Sequence, residues 1–178
     1  MVRRGRSNRG AVAVVAVTVM FLILICSVLL SIRVAAVVTA NRAQIAADAA
    51  AHAAAGFLAA NPVSDVLSFE VQQNQTACLI DAGQPGTGAE NDSTGLCAAA
   101  QSRAQAAAAA NQVAAQLTSF EVAPDTRKYT TNGGPVALVV ILHVQVHGPL
   151  SDTVLCAGNQ SALGLCQIAA WSAAQESG

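Results

Sequence analysis

The chain reads as an α+β protein: a long N-terminal transmembrane helix that continues into an alanine-rich stem, followed by a small exported head with one helix packed on an antiparallel β-hairpin. Three observations predict this. Residues Ala11 to Ile32 (AVAVVAVTVMFLILICSVLLSI) carry no charge. Arg33 to Ala60 continues without a proline and is dominated by alanine, the strongest helix former. Pro135 to His147 (PVALVVILHVQVH) then breaks the alanine pattern with the β-branched richness of a strand.

The uncharged run of 22 residues would span roughly 33 Å as a helix, enough for a hydrocarbon core of about 30 Å. Arg3, Arg4, Arg6 and Arg9 crowd residues 1–10, against a single near flanking arginine, Arg33, on the other side. The positive-inside bias then keeps the N-terminus cytoplasmic and places everything after Ile32 outside the cytoplasm. A cleaved secretory signal has an apolar region of only about 7 to 15 residues, so the run is too long for one, although small-residue sites follow at Val34–Ala36 and Val38–Ala40. Cys26 falls within the run and reads as a small apolar residue, because Ile25 stands where a lipoprotein signal needs a small side chain.

Residues 33–60 form the stem. With residues 11–32 they predict one rod of about 75 Å, ended at Asn61-Pro62 because the residue before proline leaves the helical region. An alanine surface lets helices approach closely, so packing against other helices is its expected use; the alternative is an exposed stalk held by propensity alone.

Residues 61–178 form the head. Val63 to Thr76 has no clean period and is open between strand and helix. Cys78, Cys97, Cys156 and Cys166 are an even set in an oxidising compartment, which favours disulfides over a metal site, since zinc ligands usually come in close pairs. Of the three connectivities, the shortest loops join Cys78 to Cys97 and Cys156 to Cys166. Asp81 to Gly95 is a Gly-, Asp- and Asn-rich loop without the Lys-Ser/Thr of a phosphate-binding loop. A helix is predicted over 96–117, with Leu96, Ala100, Ala107, Val113 and Leu117 as its apolar face. Strands are predicted over 118–123 and 135–147, joined by the loop Pro124 to Gly134. Alternation sends Val140, Leu142, Val144 and Val146 inward, and sets Phe120 and Val122 on one face of the first strand with Ser119 and Glu121 on the other. A short helical stretch with Ile168 and Trp171 closes the chain against the sheet.

Several chemistries find no residue set. The chain has nine Lys/Arg and ten Asp/Glu; the arginines of the first ten residues take four of the bases, leaving five against ten acids, which argues against a nucleic-acid partner. His143 and His147 share a strand face but lie roughly 13 Å apart by rise, too far to hold one metal. His52 stands alone in the stem, and Asp48, Glu70 and Glu121 read as solvated acids. Asn74, Asn91 and Asn159 start glycosylation-like triplets that arise readily by chance. No catalytic set emerges, so no enzyme, cofactor or small-molecule substrate is expected.

The segment Arg9-Gly10-Ala11-Val12-Ala13-Val14 and the block Arg42 to Ala55 (RAQIAADAAAHAAA) resemble the N-terminal region of TadE/TadG-like proteins. Those are minor pilins or pseudopilins of tight-adherence (Flp, type IVb) pilus systems. The match covers about residues 9–55, and the later order of cysteine-bearing alanine helix and two strands is similar in layout. The resemblance implies a non-enzymatic pilus-assembly component, with other pilin subunits, assembly membrane proteins and membrane lipid as partners. It also implies prepilin-type cleavage between Gly10 and Ala11, although the fifth residue after Gly10 is Val15, where many pilins carry glutamate. The runner-up is a single-pass anchored binding or sensor protein using loop 81–95 and the hairpin as its ligand surface.

Intact-mass analysis of the membrane-extracted protein checks the anchor. A start at Ala11 marks prepilin-type processing and one near Met1 a plain signal anchor, whereas a start at Val37 or Asn41 would mean a secreted protein and overturn the expectation.

Overall fold

In the computed structural model, which describes residues 9–73, 78, 80–81, 93–112, 115–125, 137–151 and 166–175, one unbroken helix α1 (Arg9–Ala59) carries the chain from its N-terminal region into the head. Its 51 residues make it about 77 Å long. The helix is long and apolar enough to cross a membrane once. It ends where expected: Ala60 N–H bonds to Gly56 O, and the Asn61 side chain accepts from Val63 N–H at 3.2 Å, turning the chain into α2 (Ser64–Gln73). Within the segment left open between strand and helix, residues 64–73 are therefore helical, and 74–76 lie outside the described residues.

The two halves of α1 have different surroundings. Every side chain from Val12 to Ser31 is exposed, whereas Ala43, Ala46, Ala47, Ala50, Ala51, Ala54, Ala55 and Leu58 are buried in the head. Their spacing of three and four residues draws one stripe along the helix. Much of that stripe meets α3 (Leu96–Asn111), whose own buried residues Leu96, Ala100, Ala104 and Ala108 recur every fourth position. The helices run antiparallel. Arg103, midway along α3, lies over the Phe57 ring at 5.5 Å, while the α3 C-terminus, Asn111 and Gln112, borders Arg42 and Ile45. Alanine against alanine permits an axis separation near the lower limit of about 8 Å, and alanine loses no rotamer entropy on burial. At about 0.8 kcal/mol per methyl, the seven buried α1 alanines contribute at most about 6 kcal/mol.

The Cys78–Cys97 disulfide holds the start of α3, with Cα atoms 5.6 Å apart across a sequence separation of 19. Closing such a loop is worth about 3 kcal/mol by the chain-entropy estimate, half the upper bound for the alanine stripe, so the head depends on both. Gly95, at φ 69°, turns the chain into α3 in a left-handed conformation that favours glycine.

The sheet is antiparallel, in the order β1 (Ile80–Asp81), β2 (Gln116–Pro124), β3 (Leu138–His147), β4 (Gln167–Gln175). Its inner face carries Phe120, Val122, Leu138, Val140, Leu142, Val144 and Val146, all buried as their alternation predicts. A register irregularity between Leu117 and Ser119 shifts the pairing of β2 with β3. The Gln105 side chain ties α3 to this strand, donating to Ala115 O at 3.0 Å and accepting from Leu117 N–H at 2.9 Å.

Four expectations need correction. The predicted helix over 96–117 stops at Asn111: Leu117 belongs to β2, Ala107 is only half-buried beside the buried Ala104 and Ala108, and Val113 lies outside the described residues. The strands expected over 118–123 and 135–147 run instead over 116–124 and 138–147. The stretch with Ile168 and Trp171 is strand β4, because pairing along the open edge of β3 satisfies its backbone and outweighs the helical preference of its alanines. Finally, the sheet is a hairpin extended on both sides, and the helix packed on β3 and β4 is α1 itself, with α3 bordering β2. A long continuous helix offers more buried length than the 16-residue α3.

Enlarging the stripe should separate α1 from its neighbours. Ala50→Leu is expected to cost about 1 to 3 kcal/mol through overpacking, seen as a lowered thermal midpoint in detergent, while the same change at the exposed His52 leaves the midpoint within error.

Candidate functional site

Three places in the described structure combine polar groups or unusual exposure. The first joins α1 to β4. Gln44 and Asp48, one turn apart on α1, hydrogen-bond at 2.9 Å, and the Gln44 amide also donates to Trp171 O at 3.1 Å. The Ser172 hydroxyl, nearly buried on the inner face of β4, donates to Asp48 Oδ1 at 2.6 Å. Asp48, read from sequence as an ordinary solvated acid, is half-buried and links the helix to the edge strand. Gln44 also covers a carbonyl that β4 would otherwise offer to another strand, which blunts the edge. Trp171 itself remains 62% exposed.

The second place is the outer face of the sheet. The register sets Ser119, His143 and Trp171 side by side on β2, β3 and β4, and Ser119 Oγ lies 2.6 Å from His143 Nδ1. The contact has the spacing of a nucleophile and its base. It lies on an open sheet face, and among the described residues no carboxylate orients the imidazole. The pair therefore reads as a cross-strand hydrogen bond. His147 shares the face two positions on. Among the described residues no three His, Cys, Asp or Glu side chains gather as a metal site would need.

The third place is beside loop 81–95. Glu70 on α2 accepts a hydrogen bond from the Ser93 hydroxyl through Oε1, while Oε2 is buried without a hydrogen-bond partner. Most of the loop lies outside the described residues, as do Asn74, Asn91 and Asn159.

Of the residues singled out from sequence, Cys78 and Cys97 are joined as expected. Cys166 is disulfide-bonded, and Cys156, its expected partner, lies outside the described residues. Cys26 is a free, exposed cysteine. Arg9, Gly10 and Ala11 open α1, while Arg3, Arg4 and Arg6 lie outside the described residues. The network of Gln44, Asp48, Trp171 and Ser172 was not anticipated. Its only sequence signal was the i, i+4 spacing of Gln44 and Asp48, which does not identify a partner more than a hundred residues away.

No protein-family model matches the chain, and no curated protein or solved structure is significantly similar to it. Among the described residues the exposed apolar half of α1 is the longest continuous exposed apolar surface, and it runs on without a break into the head.

Removing the Asp48 carboxylate leaves the near-buried Ser172 hydroxyl without its acceptor. Asp48→Ala is expected to cost about 1 to 2 kcal/mol in thermal or denaturant unfolding, and Asp48→Ala combined with Ser172→Ala to cost less than the sum of the single changes.

Proposed function

We propose that the protein is a non-enzymatic minor pilin or pilus-assembly component of a tight-adherence type system, anchored in the cell membrane by α1 with its N-terminus cytoplasmic and its head outside. The observation that carries this reading is the division of α1. One uninterrupted helix is apolar and exposed at every position over residues 12–31, then becomes the buried spine of a small head from Ala43 to Leu58. Such a lollipop suits a subunit that acts by position and packing. An apolar stem exposed on all sides fits lipid or the stems of other subunits.

The arginines before Ala11 support the cytoplasmic placement of the N-terminus through the positive-inside bias, and the disulfides at Cys78–Cys97 and Cys166 agree with an oxidising compartment for the head. The resemblance of residues 9–55 to TadE/TadG-like proteins supplies the specific system.

Deletion of the gene should reduce surface piliation and adherence, with recovery on complementation by the full chain. A deletion strain with normal pili would overturn the proposal. Co-purification of the detergent-extracted protein with a soluble ligand, in place of pilus-assembly membrane proteins, would favour an anchored binding or sensor protein.

A further inference from the structure

Between the apolar run and the buried spine, residues 33–45 of α1 have two contrasting faces. On one side Ile32, Ala35, Ala36 and Thr39 are half-buried, in line with the buried Ala43. The helix does not shield these positions itself, since the equally small Ala13, Ala16 and Ser27 on the same helix are exposed. The head therefore covers this face of α1 down to Ala35, within one turn of the end of the uncharged run. On the opposite side Val34, Val37, Val38 and Ile45 are 56%, 69%, 45% and 50% exposed. At about 100° per residue they form one stripe, flanked by Arg33 and Arg42, that is free of the head at Val34, Val37 and Val38 and at Ile45 runs between the α3 C-terminus and the join of Gln44 and Asp48 to β4.

We infer that this stripe rests on the outer leaflet of the membrane that holds α1, with Arg33 and Arg42 bound to lipid phosphates, so that the head is seated directly on the bilayer. The inference rests on α1 being the membrane anchor proposed above.

Length and charge both lead to this arrangement. On the side of the stripe the exposed apolar surface runs from Val12 to Val38, about 40 Å with Arg33 beside it and some 10 Å more than a hydrocarbon core. A rigid helix absorbs such an excess by tilting, and interfacial anchors set the direction. Tilting toward the stripe lowers Val34, Val37, Val38 and Ile45 into the interface and leaves the head on top. The flanking arginines then meet phosphates, as on helices that lie in a membrane surface. Charge selects lipid over a second copy of the chain. No acidic residue precedes Asp48, so two parallel copies joined along this stripe would bring their arginines together with no carboxylate among them. Neither Arg33 nor Arg42 is engaged by a protein carboxylate among the described residues. The acid nearest to the stripe in sequence, Asp48, one turn beyond Ile45, is engaged by Gln44 and Ser172.

The test places single nitroxide labels on the full chain, with Cys26→Ser as background, in vesicles of phosphatidylcholine alone or mixed with phosphatidylglycerol. Leu24→Cys reports the anchor, Val38→Cys and Ile45→Cys the stripe, and His52→Cys the same face further along. Leu24 should be accessible to oxygen dissolved in lipid and His52 to a water-soluble nickel chelate, with Val38 and Ile45 at headgroup depth. In the mixed vesicles, Arg33→Gln and Arg42→Gln should each raise the chelate accessibility of Ile45 about fivefold, the equivalent of about 1 kcal/mol per arginine at an anionic surface. Leu24 in lipid with Val38 and Ile45 fully aqueous would overturn the seating while the anchor stands. Shielding of Val38 and Ile45 from both reagents, with short distances between labels on different copies, would overturn it in favour of a second copy. Leu24 in water would overturn the anchor and the seating together.

Discussion

Close packing of alanine along one face of α1 is the constraint from which the rest of the head follows. Between Ala43 and Leu58 the helix has almost nothing to bury except methyl groups. Each contributes little, so stability requires that many of them meet a neighbour at short range. That requirement selects α3, whose Ala100, Ala104 and Ala108 provide an equally small surface, and it selects the flat inner face of β3 and β4. Larger side chains on either helix would raise the area per residue but hold the axes apart. Alanine therefore serves both as the propensity that keeps α1 continuous and as the surface that brings its partners close.

A core of this kind is thin, and the other interactions sit where it is thinnest. The Cys78–Cys97 disulfide constrains the chain around the start of α3, and Gln105 holds the far part of α3 to β2. Gln44 and Asp48 tie β4, whose inner face offers only alanine, serine and isoleucine, to the helix. The Ser119–His143 pair reinforces the join between β2 and β3 from outside. These polar contacts stabilise an assembly that burial alone holds weakly, which gives them a physical reason without invoking catalysis.

Continuity of α1 also determines how the head stands relative to any membrane. With no proline between Arg9 and Ala59, α1 has no sharp kink between the exposed run and the head. The half-buried positions from Ala35 to Thr39 leave less than one bare turn between the uncharged run and the covered side of the helix. The exposed apolar run and the buried spine are therefore parts of one continuous helix. Seating on the bilayer and contacts with other subunits then become questions of which exposed face is occupied.

Much of this was legible in the residues themselves. The uncharged run, the helix through the alanine block, its end at Asn61-Pro62, the Cys78–Cys97 pair and the inward alternation from Val140 to Val146 all follow from local rules of period, propensity and loop closure. Local rules failed where a distant partner decides the outcome. Gln167–Gln175 has helical composition, yet the open edge of β3 made it a strand. Asp48 has the composition of a surface acid, yet Ser172, more than a hundred residues away, made it part of the join between helix and sheet. Alanine accounts for both the successes and the failures. It states a helix clearly through its backbone preference, but its methyl group is too small to mark which side will be buried. That was settled by which surfaces came close enough in the folded chain to exclude water.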